Sequence, residues 1–320
     1  MQTTSSFLSR PATMAVMNQQ LRQMVRSARL VLPVSDSRDD EVAIFREKRN
    51  THLWIVNRAA ELLRHEGEAG ELAYELVKPG QGKIHDEFHD NLCRGVYDPD
   101  HKAPYNDPLL LFGLCPTWKS HFYDPDTQTN WLGQKKSTAV TRATTCYHLA
   151  RAAYQLDHRG LAGYTLGLTL HFMGDLTQPM HAANFTWLSS WPCGYHTAFE
   201  EYAKTVLQHL DAPTRFQPLP LGVVPQGYLK AVARRTKDTY YRKVCQPEWL
   251  QSYRQVEVTN EVWQQRVGLC IGPMLSDAVL MTAQFLLSWT ESLLLAPLDR
   301  QECFEQSEEL MSHNSGKRLQ

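Results

Sequence analysis

The chain has 320 residues, enough for one large domain or two small ones and for a core that needs no disulfide staples. Lys and Arg total 33 against 34 Asp and Glu, so no global basic field draws nucleic acid or anionic lipid, and a mean hydropathy of −0.42 argues against an integral membrane protein. Seven cysteines, an odd number with no close CxxC pair, exclude a disulfide framework and a cysteine-type zinc module, which leaves the 13 histidines as the metal-binding resource.

In chain order, residues 1–38 are rich in Ser, Thr, Gln and Arg, and Pro11, Asn18, Arg22 and Arg26 break their apolar patches. They read as a mobile leader without the continuous apolar core of a secretory signal. A helix is expected from Asp39-Asp40-Glu41, where acidic groups suit the positive helix end, running through Leu53, Trp54 and Val56 to Leu63. A second helix is expected over 82–96. Residues 97–133 are dense in Pro, Asp, Asn, Gly and aromatics, and read as a long, ordered, functional loop. Helical pattern returns at 135–156, 161–178, 195–210, 223–240 and 258–295, while strand-type alternation is scarce. The apolar stretch Leu269–Pro297 is interrupted by Asp277, Gln284 and Glu291 and reads as a core helix, not a membrane span. Residues 298–320 form a polar tail. The expected fold is all-α, a single compact helical bundle over 39–297.

The chemistry starts at His171-Phe-Met-Gly-Asp175, an i, i+4 imidazole and carboxylate that share one helix face. Pro179 should break that helix and turn His181 off its axis. His196-Thr-Ala-Phe-Glu200 repeats the i, i+4 device on the next helix. Upstream lie His52 on the first helix, Asp100 in the run Tyr97-Asp-Pro-Asp100-His, and His121 in the aromatic loop. Nitrogen and carboxylate ligands without thiolate suit zinc, and such groups on separate helices can converge inside a bundle. His85 and His89, also i, i+4, read as a solvated helix face. His148 reads as a satisfied or exposed residue, and Gly163 and Gly167 as permitting close helix contact.

The run from His171 to Asn184 resembles the motif of the prokaryotic zinc-dependent phospholipases C, the family of the Bacillus phosphatidylcholine-hydrolysing enzymes and the catalytic domain of clostridial alpha-toxin. Asn50-Thr-His52-Leu-Trp and Ser120-His121-Phe-Tyr-Asp-Pro-Asp126 resemble two further segments of it. The resemblance extends over about 39–295 and implies an all-α bundle with a metal cleft between its helices. It implies two to three Zn²⁺ per chain: one held by Asp100, His121, His171 and Asp175, a second by His181, His196 and Glu200, and a third by His52 with Asp175 bridging. In the family an N-terminal tryptophan completes the third site, and no tryptophan precedes Trp54 here. Maturation near 36–42, substitution by Asp39, Asp40 or Glu41, or a weak or empty site are the open readings.

The implied activity is phosphodiester hydrolysis of phosphatidylcholine or phosphatidylethanolamine by zinc-activated water, giving diacylglycerol and a phosphorylated head group, with Asp100 as general base or ligand. The matching rim positions for head-group binding are Glu41, Trp118 and His101, where His101 replaces a family tyrosine. The implied partner is a phospholipid bilayer or micelle surface met by a monomer, with no nucleic acid. The resemblance implies export, although a cytoplasmic location stays open on the sequence alone. The rival readings are a zinc nuclease of the S1/P1 type, which shares fold and metal spacing, and a non-catalytic lipid-binding relative.

Overall fold

A computed structural model of the chain describes residues 50–78, 86–101, 118–186, 194–207, 209–210, 213–217, 225–245 and 259–294. The expected leader, the polar tail, Glu41 and His85 lie outside them, as does the side chain of Trp118. The described residues are all-α. Their helices are α1 Thr51–Leu63, α2 Gly67–Val77, α3 Glu87–His101, α4 Ala139–Gln155, α5 Arg159–Thr177, α6 Tyr195–Val206, α7 Gln226–Thr236 and α8 Thr259–Leu294. α7 runs on through a π-helical stretch, Lys237–Tyr241, into a last turn, Arg242–Val244. Short 3-10 turns occur at Trp118–His121 and His181–Ala183. Strand-type pairing among the described residues is confined to the isolated bridge between Asp124 and Thr129.

Three expectations need correction. The helix that carries His52 does not run through from residue 39. It begins at Thr51, because Asn50 adopts extended backbone and its side-chain oxygen accepts from the Leu53 N–H at 3.0 Å, the arrangement of a helix N-cap. Helix α2 escaped the sequence reading, since it buries only the small residues Ala69, Gly70 and Ala73 beside Val77, a face too weakly apolar to show a period. Helix α3 continues to His101, past the expected end at 96, so Asp100 stands on a helix and not in a loop. Pro99 removes one backbone donor, but only two residues follow it, and the His101 ring bonds back to Tyr97 O at 2.9 Å while stacking on the Tyr97 ring.

Two hydrophobic cores share helices α1 and α8. One gathers Leu53 and Val56 of α1, the buried faces of α3, α4, α5 and α7, and the C-terminal half of α8 around Phe285 and Trp289. The other packs Trp54 and Ile55 of α1 against Tyr195 and Phe199 of α6 and the N-terminal half of α8 around Trp263 and Ile271. Helix α8 passes the length and hydropathy test for a membrane span, yet its apolar side chains fill both cores, as expected of a core helix.

Helix α5 is buried along nearly its whole length and is the centre of the bundle. Its contact with α3 is backbone against backbone. A Cβ at Gly163 would lie 2.0 Å from Phe88 O, one at Gly167 2.2 Å from Leu92 O, and one at Gly95 2.1 Å from Tyr164 O. The expectation for Gly163 and Gly167 holds, and Gly95 supplies the matching gap on α3. This seam brings the Val96 carbonyl within 2.9 Å of His171 Nδ1. Replacing Gly167 with Ala forces two main chains apart, with no flexible side chain to yield. We expect a loss of about 1–3 kcal/mol or more, read as a lower urea midpoint at unchanged slope.

Candidate metal centre

Six segments deliver the site. The cap at Asn50 places His52 in the first turn of α1. Asp100 ends α3, and His121 ends the 3-10 turn Trp118–His121. His171 and Asp175 lie one turn apart on α5. His181 opens the turn beyond Pro179, and His196 and Glu200 lie one turn apart on α6. The fold brings together all eight residues expected as ligands, in three groups whose donor atoms lie within 4.8 Å of one another: His52 with His171 and Asp175; Asp100 with His121 and His171; and His181 with His196 and Glu200. His171 thus stands nearer His52 than the sequence suggests, with the two rings 4.3 Å apart.

Asp175 is the hub, and its side chain is 1% exposed. Its Oδ2 lies 2.9 Å from His121 Nδ1 and 3.5 Å from His171 Nε2, while its Oδ1 lies 3.0 Å from His181 Nδ1 and 3.6 Å from His52 Nε2. Asp100, with 43% of its side chain exposed, reaches His171 Nε2 at 3.6 Å, His121 Nδ1 at 3.8 Å and His52 Nε2 at 3.9 Å. In the third group His196 Nε2 lies 2.9 Å from Glu200 Oε1 and 3.0 Å from His181 Nε2, and His181 Nε2 lies 3.4 Å from Glu200 Oε1. Ligand atoms at the corners of a tetrahedral zinc site are spaced about 3.3–3.5 Å, a consequence of Zn–N bonds near 2.0–2.1 Å. The observed spacings bracket that value.

The donor set also fits a cation on a second ground. Asp175 Oδ2 and His181 Nδ1 are buried, and despite the short approaches neither has a partner at hydrogen-bond angles. Buried polar atoms are rarely left so. Lone pairs that converge without an intervening hydrogen require a positive centre, a proton or a metal. His171 Nδ1 is already committed to the Val96 carbonyl, which leaves Nε2 to face the cluster, an outer-shell arrangement typical of metal-bound histidine. Phe172 wedges against His121 and His171, and Phe122 lies against His181, so apolar walls hold the rings.

Titration in the metal-free protein follows this crowding. For Asp175, burial disfavours charge, but His121, His171 and His181 together outweigh it and hold the carboxyl well below its ordinary value. Asp100 is likewise lowered, desolvation being overcome by His171, His121 and His52. Burial would lower His181, yet Asp175 and Glu200 push it up to about 10. His121 is raised against its own burial by Asp175 and Asp100. His171, where burial dominates, falls to about 4.

Other expected positions fall out differently. His101 is exposed at the end of α3, beside Asp100. His89 is not on a solvated face: it is half-buried, with Nε2 3.5 Å from Cys93 Sγ. His148 is neither satisfied nor exposed. It is half-buried, its Nε2 lacks a hydrogen-bond partner, and burial lowers it to about 4. Among the described residues, Cys93, Cys146, Cys245 and Cys270 are in no disulfide. The sequence reading missed the residues that hold the ligands. Gly174 lacks the Cβ that would lie 2.3 Å from His52 Nδ1. The Asn184 amide donates to Thr129 O at 3.0 Å, and the Tyr123 N–H to His181 O at 3.1 Å, tying the His121 and His181 segments together. Asn184 itself adopts left-handed backbone, φ 54°, a region asparagine tolerates better than most residues, and that was its readable signal.

Comparison with known proteins follows the same lines. Residues 51–256 match the sequence profile of a family described as zinc dependent phospholipase C. A phospholipase C of Bacillus cereus is 30% identical over 260 residues, covering 77% of this chain and 83% of that protein. A phospholipase C of Listeria monocytogenes is 30% identical over 249 residues, covering 76% and 77%. The fold is similar to that of an alpha toxin from Clostridium absonum, with TM-score 0.53 and 20% identity; the match covers 77% of this chain and 65% of the toxin.

Because zinc ligands must be deprotonated, loading the metal-free protein displaces the proton that His181, raised to about 10, holds at neutral pH. Calorimetry of zinc binding in buffers of different ionisation enthalpy should show proton release at neutral pH. Apparent zinc affinity should rise with pH between about 6 and 8, roughly tenfold per pH unit for each proton displaced. A pH-independent affinity would contradict these protonation states.

Proposed function

The chain belongs to the zinc-dependent phospholipase C family, and from that premise we propose that its eight clustered ligands hold up to three zinc ions for hydrolysis of glycerophospholipids such as phosphatidylcholine and phosphatidylethanolamine. In this reading Asp100, His121, His171 and Asp175 hold one ion, and His181, His196 and Glu200 a second. His52 and Asp175 contribute to a third, so that Asp175 serves two metals. The observation that carries the proposal is the convergence of three donor groups on one buried carboxylate. When bound, the ions neutralise a phosphodiester and lower the pKa of water toward ~7.

The chain's own residues do the rest. Of the three carboxylates, Asp175 is fixed in the interior, whereas Asp100 and Glu200 keep solvent-facing oxygens, with 43% and 42% side-chain exposure. Both are open to solvent, and Asp100, which lies beside His52, His121 and His171, is the one assigned to meet substrate and water. Its lowered pKa keeps it ionised, which suits orienting the attacking water as a hydrogen-bond acceptor more than holding its proton. The P–O bond to diacylglycerol then breaks, the water proton passes to the leaving alkoxide oxygen, and the water oxygen stays on the phosphorylated head group. Asp175, beyond reach of solvent, acts by holding imidazoles in register. His101, exposed next to Asp100, is the rim residue for the head group, together with Glu41 and Trp118 as sequence-level candidates. The same reading makes residues 39–297 the catalytic domain, flanked by a leader and a polar tail. It also has the protein exported and working as a monomer at a phospholipid surface.

The test sets phosphatidylcholine and phosphatidylethanolamine vesicles beside single-stranded DNA, with purified zinc-loaded protein. Release of phosphocholine or phosphoethanolamine with matching diacylglycerol is expected, and no DNA cleavage. Cleavage of DNA without head-group release would overturn the lipid assignment. Asp175→Asn should lower bound zinc by at least one ion per chain and reduce turnover by about 10²-fold or more. Full zinc content in that variant would sink the bridging role.

A further inference from the structure

Gln178 follows α5, and nothing above gives it a function. Its backbone is extended, φ −90° and ψ 121°, and its N–H donates to Asp175 O at 3.0 Å, so the side chain leaves the helix end just ahead of Pro179. Its side-chain oxygen accepts from two backbone N–H groups, those of Met180 and of His181, the latter at 3.0 Å. A backbone N–H can only donate. The amide atom facing the turn must therefore be the oxygen, and the NH₂ group must face the other way. There it donates to Glu200 Oε1 at 3.3 Å, the same oxygen that lies 2.9 Å from His196 Nε2 and 3.4 Å from His181 Nε2. One side chain thus touches the main chain of one member of this metal group and the carboxylate of another 22 residues away.

We propose that Gln178 is a positioning residue for the zinc ion held by His181, His196 and Glu200, its oxygen setting the turn that aims His181 and its NH₂ orienting the Glu200 carboxylate. The inference rests on the ligand partition above. The physical need is plain at Glu200. This long side chain is 42% exposed, and without a fixed donor it would spread over several rotamers at an entropic cost to binding. His196, on the same helix, moves with Glu200 and cannot brace it independently. Gln178 comes from a different segment, fixed by α5 and Pro179, so its hydrogen bond sets α6 against the His181 turn. Groups that brace metal ligands in this way commonly change metal affinity 10–100-fold when removed.

Two variants separate positioning from simple turn capping. Gln178→Glu keeps an oxygen for the two backbone N–H groups but turns a second carboxylate oxygen toward Glu200. Gln178→Met removes both functions. Metal-stripped wild type and variants are titrated with zinc against a chromophoric chelator at about pH 8, and the metal-free forms are unfolded in urea. In Gln178→Glu we expect one zinc ion per chain to bind about 10–100-fold more weakly, the remaining zinc to bind as in wild type, and the metal-free urea midpoint to stay at the wild-type value. Gln178→Met should lose at least as much affinity and also lower the midpoint. In a Glu200→Gln background, adding Gln178→Glu should cost no more than about twofold, because no carboxylate then faces it. Wild-type zinc affinity in Gln178→Glu overturns the proposal, and so does an equal loss in the Glu200→Gln background. If wild-type protein takes up no zinc, the ligand partition itself falls; if it does and Gln178→Glu matches it, only the role of Gln178 falls.

Discussion

An ionised carboxylate in a protein interior is tolerated only where positive charge surrounds it, and Asp175 makes that demand at the centre of this fold. Its side chain is 1% exposed, and four imidazoles from four different segments come within 3.6 Å of its two oxygens. Left unpaired, such a charge would cost several kcal/mol. Asp175 in turn raises His181 and His121 against their burial, so protonated imidazole is one source of that compensation. A cation bound among these donors would supply it instead. Uptake of such a cation would release those protons and link metal binding to folding.

That carboxylate could not sit where it does without the seam between α3 and α5. Glycines at 95, 163 and 167 let the two backbones touch, and this brings the Val96 carbonyl onto His171 and Asp100 to within 3.6 Å of the same ring. The helix carrying the hub is also the most buried, so neighbouring packing limits its movement. The less regular ligand segments are held by tethers. Lys237, on the π-helical stretch after α7, pairs with Asp124 and Asp126 at 2.7 Å each, just beyond His121. The hydrogen bonds from Tyr123 and Asn184 close the gap to the His181 turn. A site that must admit a lipid head group is thus assembled from one rigid helix and several braced turns, with only Asp100 and Glu200 among its carboxylates left open to solvent.

Much of this was legible in residues alone where the relevant geometry is local. His171 with Asp175 and His196 with Glu200 are fixed by helical periodicity, and Pro179 ends a helix for a steric reason that needs no context. Legibility failed where a local signal was outweighed by neighbours or was too weak. The pattern from residue 39 into His52 reads as one continuous helix, but Asn50, in extended backbone, caps a helix that begins at Thr51. Pro99 argued for a loop, yet it falls so near the helix end that one lost hydrogen bond is tolerated. Helix α2 buries alanine and glycine, whose small areas leave little hydrophobic trace. Gln178 and Gly174 lay inside the recognised motif, but their roles concern groups distant in sequence.

The sequence by itself determined the helical class, the chemistry of the candidate ligands and the pairs one turn apart, because these follow from side-chain type and a fixed rise per residue. Only the tertiary structure decided that His52, Asp100, His121, His171, Asp175, His181, His196 and Glu200 share one pocket, that His171 stands between two groups, and that Gln178 joins α5 to α6. Those relations depend on how closely separate backbones approach. That distance is set by packing across helices and by hydrogen bonds spanning tens of residues, which no short-range pattern encodes.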